Sequence, residues 1–313
     1  MRTLVTGGAG FIGSTLVDRL VSDGHEVDVL DDLSSGSLAN LADARAAGGV
    51  RFHRIGIESA SVTDLVERLV PEVVYHLAAQ ADVRVSVARP AFDATVNVVG
   101  SLNVIEGARR AGAAKVVFAS SGGTIYGEVP PERLPATESL PQIPLSPYGV
   151  AKKVVTDYLV VYRELHQLEF TSLALANVYG PRQDPHGEAG VVAIFAARLL
   201  AGEACTIFGT GEQTRDFVFV DDVADAFARA AQRAGGLLLN IATGFETSVN
   251  ELHSVMADAV GTGDEPTRAP ARPGELDRSS LSPERARIHL GWEPLTSLES
   301  GVAETLRWFR LRS

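Results

Sequence analysis

The sequence predicts an α/β fold: a doubly wound parallel sheet joined to a smaller, partly interleaved C-terminal lobe. Three observations carry this. Apolar strand-length runs alternate with helical periodicity from residue 2 to residue 176. A glycine-spaced turn joins the first strand to the first helix. After residue 176 the alternation breaks into short runs separated by glycine- and proline-rich turns.

Arg2-Thr3-Leu4-Val5 reads as a short buried strand, and Leu16, Val17, Leu20 and Val21 recur at helical spacing after Gly13. Gly7, Gly10 and Gly13 therefore sit where a strand turns into a helix. Gly7 suits the positive φ of a tight turn, Gly10 lets backbone approach a pyrophosphate, and Gly13 lets helix pack on strand. The free N–H groups and positive dipole end of that helix, at Phe11 and Ile12, favour a phosphate. A second apolar run, Val27-Asp28-Val29-Leu30, ends in Asp31, 18 residues after Gly13. An acid there accepts hydrogen bonds from the adenosine ribose and repels a 2′-phosphate, so the expected cofactor is NAD rather than NADP. Asp32, Ser34, Ser35 and Gly36 continue the cofactor loop.

Residues 32–49 are polar, then helical in composition, and Val50 to Ile55 is a third strand, followed by Ile57. Val62 to Leu69 reads as its crossover helix and Val73 to Leu77 as a fourth strand, which runs into Ala78 and Ala79. A long helix over 91–112 carries Asn97, and Lys115 to Ala119 is a fifth strand that leads to Ser120 and Ser121. Apolar strands in βα units imply a Rossmann-like parallel sheet covered on both faces, with its site beyond the strand C-terminal ends. Gly7 to Gly13, Asp31, Ala78, Ser120, Ser121 and Tyr148 all fall there.

The run from Tyr148 to Glu164 is helical, and four-residue spacing puts Tyr148 and Lys152 on one face. A tyrosine can act as general base if its pKa falls from about 10 toward neutrality, which a neighbouring ammonium favours. Phe170 to Leu175 is a sixth strand. Beyond it we expect a loop over 177–185, a helix at 190–201, strands at 206–208 and 217–220, and a helix at 222–234. A further helix, a proline-rich loop at 266–274 and a terminal helix with Trp308 follow. This assigns 1–176 and 216–245 to the NAD-binding domain, and 177–215 and 246–313 to a lobe that closes over the substrate.

Composition narrows the function. The net charge of −11 argues against a non-specific nucleic-acid or anionic-membrane binder. A single cysteine, Cys205, permits no intrachain disulfide, and no His or Cys pair has zinc spacing. No apolar signal region or run of roughly 20 apolar residues is present, so a soluble cytoplasmic protein is expected. His186 and Cys205 read as surface or structural residues.

The chain resembles the extended short-chain dehydrogenase/reductase superfamily, and within it the nucleotide-sugar epimerases of UDP-glucose/UDP-galactose 4-epimerase type. The resemblance spans nearly the whole chain. It rests on Gly7-x-x-Gly10-x-x-Gly13, Asp31, His76 to Ala79, Asn97, Ser120-Ser121, Tyr126-Gly127, Ser146-Pro147-Tyr148 with Lys152, Asn177, Arg215 to Val218 and Arg272 to Glu275. It implies that Tyr148 takes the proton of the sugar 4-OH while hydride passes from C4 to NAD⁺, that Lys152 holds the nicotinamide ribose, and that a 4-keto sugar turns over inside the site. It also implies a UDP-sugar substrate. Arg215, Arg272 and Asn177 would meet the diphosphate, Thr206 and Phe208 the uracil, and Glu275 the uridine ribose, with backbone contacts from Val191 and Val192. The family's third hydroxyl, a Ser or Thr, aligns with Gly122 here. Ser121 or Thr124 can substitute, and Ser121 is slightly favoured. No acid lies between Ser120 and Gly127, which favours epimerisation over the dehydratases and decarboxylases that resemble this chain. At strand three, Gly56-Ile57 replaces an acid followed by Ile.

UDP-glucose/UDP-galactose is the first expectation, with UDP-glucuronic acid or a UDP-N-acetylhexosamine as rivals. A glucuronate carboxylate would want a cation such as Arg84 or Arg182. A nucleotide-sugar reductase or dehydrogenase, and a non-catalytic NAD-binding regulator, are the alternatives outside that class. The family often dimerises through the helices at 91–112 and 148–164, so a homodimer is expected.

Overall fold

The computed structural model describes residues 1–186, 190–263, 265–271 and 276–312. The chain runs through β1 (Arg2–Thr6), α1 (Phe11–Ser22), β2 (Glu26–Asp31), α2 (Ala42–Ala47), β3 (Val50–Arg54), α3 (Ser61–Leu69) and β4 (Val73–His76). It continues with α4 (Val83–Ala88), α5 (Pro90–Ala94), α6 (Ser101–Ala111), β5 (Lys115–Ser121), α7 (Gly122–Ile125), α8 (Pro147–His166), β6 (Glu169–Leu175) and β7 (Asn177–Tyr179). Then come α9 (Val191–Leu200), β8 (Thr206–Phe208), β9 (Thr214–Arg215), β10 (Phe217–Phe219) and α10 (Val220–Ala230). The last elements are β11 (Leu237–Ile241), β12 (Thr247–Ser248), α11 (Val249–Val260), β13 (Thr267–Ala269), α12 (Glu284–Leu290) and α13 (Leu298–Arg310).

Seven strands form one parallel sheet in the order β11-β6-β5-β4-β1-β2-β3. The order reverses between β1 and β4, and the crevice beyond their C-terminal ends is where such a sheet binds ligands. Its strands are apolar because both faces are covered. One face packs on α1, α10 and α12, with Leu16, Val17, Phe227 and Trp292 buried. The other packs on α3, α6 and α8, with Val66, Ile105, Val155 and Leu159 buried. Trp292 is 1% exposed and its indole N–H donates to Asp222 O at 2.8 Å, an anchor for the C-terminal segment. Burial of a ring that size contributes on the order of 3 kcal/mol.

The lobe has its own core, in which α9, α11 and α13 enclose Phe195, Leu252, Met256 and Leu306, and Phe11 and Ile12 of α1 pack against it. The start of α1 therefore lies between the two cores.

The structure corrects four sequence expectations. The loop expected over 177–185 opens with β7, which pairs in parallel with β10. The helix expected over 91–112 is α5 and α6 joined by a π-helical turn, Thr95–Gly100. Periodicity cannot show one extra residue in a turn, and such turns recur at functional sites. The expected proline-rich loop at 266–274 contains β13, which pairs in parallel with β8. The helix expected over 222–234 spans Val220–Ala230. Among the described residues no helix is long and apolar enough to cross a membrane, and no group of His, Cys, Asp or Glu could hold a metal ion.

Candidate active site

The glycine turn is dictated by space. Gly7 has φ +70, and a Cβ there would lie 2.7 Å from Ala78 N. A Cβ on Gly13 would lie 2.0 Å from Gly7 O, while one on Gly10 would stand at 3.2 Å from the same atom. These backbones touch, so side chains at 7 and 13 would push strand and helix apart. Gly10 is the N-cap of α1, and no side chain caps the helix or places an acid in its first turn. Its leading N–H groups suit a phosphate.

Asp31 closes the turn at the tip of β2. Its Oδ2 accepts from Ala9 N at 2.9 Å and its Oδ1 from Leu33 N at 2.8 Å. Burial raises its pKa against these two donors. Asp32 Oδ1 accepts from Ser34 N at 2.8 Å, Ser34 and Ser35 are exposed, and Gly36 lies against Ala9, which a Cβ would approach at 2.8 Å. Asn40, which sequence reasoning passed over, donates to Ala9 O at 3.0 Å and pins the same loop. Ile57 is buried against Gly100 on the π-helical turn.

A directed chain of hydrogen bonds crosses the floor of the crevice. Ala78 N donates to Thr6 Oγ1 at 3.2 Å, and Leu77 N to Thr6 O at 3.1 Å, with Ala79 following in the half-buried segment. Thr6 Oγ1 meets His76 Nδ1 at 2.7 Å, and His76 Nε2 meets Ser101 Oγ at 2.8 Å. Ser101 Oγ donates to Asn97 O at 2.6 Å, so His76 Nε2 carries the hydrogen and Nδ1 accepts. Burial, and then the nearby Lys152 ammonium, push His76 down to about 3, which fits this neutral tautomer. Asn97 itself binds protein: its Nδ2 donates to Gln80 O and to Asp93 Oδ1, both at 2.8 Å, and its Oδ1 accepts from Gln80 N at 2.8 Å.

Ser146 caps α8 by accepting from Gly149 N at 3.1 Å, and Pro147 opens the first turn. Tyr148 is half-buried at this end. Lys152, one turn on, is buried, donates from Nζ to Ala119 O at 2.8 Å, and lies 5.6 Å from the Tyr148 ring centroid. Burial drops its pKa to about 8, against an upward pull from Asp93. The Tyr/Lys pair thus shares one helix face above the end of β5.

Ser120 Oγ, at the same strand end, is buried without a hydrogen-bond partner among the described residues. An orphaned hydroxyl, an uncapped helix start, the Gly7 to Gly13 cradle and Asp31 converge on one crevice. These residues fit a dinucleotide.

Beside this crevice is a cavity of about 250 Å³. Ser121, Gly123, Thr124, Asn177, Arg215 and Ser279 line it, so four predicted residues meet there. Thr124 Oγ1 donates back to Ser121 O at 3.3 Å within its turn. The Gly122 position faces elsewhere: a Cβ there would lie 2.2 Å from Leu281 Cδ1. A Ser or Thr at 122 has no room while Leu281 fills that space.

Other predicted residues separate. Val192 is in the lobe core and Val191 beside it. Thr206 and Phe208 lie on β8, where Thr206 Oγ1 meets Thr267 Oγ1 at 3.1 Å and Phe208 O accepts from Gln213 Nε2 at 3.0 Å. Arg272 and Glu275 lie outside the described residues. Arg182 is ion-paired with Asp18 of α1 at 2.6 Å and Arg84 with Asp82 at 3.2 Å, so both guanidiniums already have carboxylates.

Asp216 stands within the Arg215 to Val218 motif with no role assigned to it. It is buried and accepts from Thr243 N at 2.8 Å, Thr243 Oγ1 at 2.7 Å, Gly244 N at 2.9 Å and Leu281 N at 3.3 Å. One carboxylate thus ties three distant segments into the wall that carries Arg215 and Ser279. Its place beside Arg215 was the one available signal.

Residues 3–242 match the NAD dependent epimerase/dehydratase family. The chain belongs to this family. It is 54% identical to a UDP-glucose 4-epimerase of Mycolicibacterium smegmatis over 314 residues, all of both chains. The structure of UDP-glucose 4-epimerase from Thermotoga maritima with UDP-glucose superposes with a TM-score of 0.94 at 45% identity, over 100% of this chain and 99% of that one. The Thermus thermophilus UDP-glucose 4-epimerase complex with NAD gives 0.91 at 44% identity, over 99% of each. A family enzyme with an intact glycine cradle, Asp31, Tyr148 and Lys152 is equipped for NAD chemistry.

Proposed function

We propose that this epimerase/dehydratase family member catalyses NAD-dependent 4-epimerisation of a UDP-hexose, with UDP-glucose and UDP-galactose as the first pair. The observation that carries it is the Tyr148–Lys152 face of α8, where Lys152 bonds Ala119 O on the strand that leads on to Ser121 of the cavity shared with Thr124 and Arg215. Gly7 to Gly13, Asp31 and Lys152 would hold NAD, which when bound would supply the hydride acceptor and donor for sugar C4. Tyr148 takes the proton from the 4-OH and returns it. The Lys152 ammonium favours the phenolate. Ser121 or Thr124 hydrogen-bonds the reacting hydroxyl, and Arg215 with Asn177 meets the diphosphate. The pairing of Arg182 and Arg84 with Asp18 and Asp82 weighs against a glucuronate carboxylate as their partner.

NMR of the purified protein with UDP-glucose, UDP-galactose, their N-acetyl forms and UDP-glucuronate, without added NAD, tests this. Interconversion of 4-epimers is expected, fastest for the first pair. No interconversion of any substrate, with and without added NAD, would point instead to a reductase or a non-catalytic binder.

A homodimer and a cytoplasmic location belong to the same reading. Phe92, Val99, Val150, Tyr158, Val161 and Leu165 stand exposed along the two helical paths that family members pair as a four-helix bundle. Sedimentation at micromolar concentration should give twice the chain mass, and Val161→Glu should halve it. The single cysteine suits a reducing compartment.

A further inference from the structure

Lys152 carries a buried charge with little to balance it. Lys152 is 4% exposed and its ammonium donates to Ala119 O, with the Phe118 and Tyr148 ring centroids at 4.9 and 5.6 Å. A carbonyl and two ring faces do not neutralise an ammonium out of water.

The titratable groups that face it are few. Tyr148, on its own helix, carries a charge only while it holds the phenolate that the ammonium is there to favour, so it is not a standing counter-ion, and His76 from the end of β4 is neutral. α7 holds no ionisable residue. The ionisable residues of β5 and β6, Lys115 and Glu169, start those strands at the far end of the sheet. Arg84 of α4 pairs with Asp82, and Glu106 of α6 meets α8 at Tyr162. This leaves Asp93 of α5.

Asp93 is 1% exposed. Its two oxygens have different roles. Oδ1 accepts from Gln80 Nε2 at 3.0 Å and from Asn97 Nδ2 at 2.8 Å. Oδ2 is buried with no hydrogen-bond partner among the described residues. α5 packs against α8, and hydrogen bonds run from Asp93 through Asn97 and Ser101 to His76, whose ring meets Phe118, the ring that Lys152 Nζ overlies.

We propose that Asp93 is a positioning residue for the reaction: its carboxylate is the counter-charge that keeps Lys152 protonated, and through Lys152 it supports Tyr148. Asp93 opposes the fall that burial imposes on Lys152, and Lys152, with the two amide donors, opposes the rise that burial imposes on Asp93. The inference rests on the reading of Tyr148 and Lys152 as the proton-transfer pair.

The geometry supplies a clean test. In Asp93→Asn the amide oxygen keeps both hydrogen bonds, and NH₂ replaces only the unpartnered Oδ2. The charge is deleted and the network stays. The chain has three lysines, Lys115, Lys152 and Lys153, so protein labelled with ¹³Cε-lysine gives three resonances. Lys152→Met assigns the central one. In Asp93→Asn the Lys152 titration midpoint should fall by on the order of one pH unit. The Lys115 midpoint should stay, because burial and Glu169 set it. The alkaline limb of the epimerisation profile should move with Lys152.

Asp93→Ser is the second variant, with the same downward shift expected. Val98→Ala trims the lining of the cavity beside Asp93 without touching its charge or its hydrogen bonds, and should leave the midpoint in place. An unchanged Lys152 midpoint in the neutral variants overturns the proposal, as does an equal shift in Val98→Ala, which would assign the effect to packing. A wild-type protein inactive on every UDP-sugar would overturn the proposed function while the lysine titration still reported on Asp93.

Discussion

Replacing Gly122 by serine restores the hydroxyl that the family resemblance places at that position, and the structure says it will not fit. The new Cβ would stand 2.2 Å from Leu281 Cδ1, and 3.2 and 3.3 Å from Ala174 O and Leu175 O. Carbon atoms in contact sit about 3.5–4.0 Å apart, so the overlap with the leucine exceeds ~1 Å. Leu281 is 2% exposed among Ile125, Tyr126 and Ala136, so a displaced Cδ1 must push into those packed neighbours. Overpacking of this kind costs ~1–3 kcal/mol. Leu281→Ala alone leaves a cavity and costs ~2–5 kcal/mol. In the double variant the serine enters the vacated space, so the combined loss should fall short of the sum by ~1 kcal/mol or more. Urea unfolding of the four proteins, read at constant m, measures that coupling. Additivity within ~0.5 kcal/mol would refute the argument, since it would mean that residues 122 and 281 do not compete for one space.

Three further outcomes follow from the same geometry. Tyr148→Phe should lower epimerisation by about 10²–10⁴-fold while the rise in Tm on adding NAD is retained. Gly13→Ala, whose methyl would meet Gly7 O at 2.0 Å, should abolish that NAD-induced rise, because neither backbone can retreat without opening the cradle. His76 sets an acid limit. Its folded pKa is about 3, whereas an unfolded imidazole titrates near ~6.5, so between those values the unfolded chain binds a proton that the folded chain refuses. Stability should therefore fall as pH drops below ~6.5, by on the order of 1.4 kcal/mol per unit, and His76→Gln should flatten that slope in urea titrations.

Local chain chemistry made much of this protein legible in its sequence. A strand, three glycines at fixed spacing, a helix and a terminal acid are set by neighbours a few residues apart, so Gly7 to Gly13 and Asp31 could be read directly. Four-residue spacing likewise placed Tyr148 and Lys152 on one face. The order of apolar runs determined the parallel sheet, because only strands covered on both faces are continuously apolar. Tertiary structure decided the rest, through contacts between residues far apart in the chain. Leu281 closes the space at Gly122, Asp216 ties 243, 244 and 281 to the substrate wall, and β11 docks as an edge strand beside β6. The charge state of the site was hidden for the same reason. Whether His76 is neutral, and what balances Lys152, depends on burial and on Asp93, and neither leaves a periodic trace in the sequence.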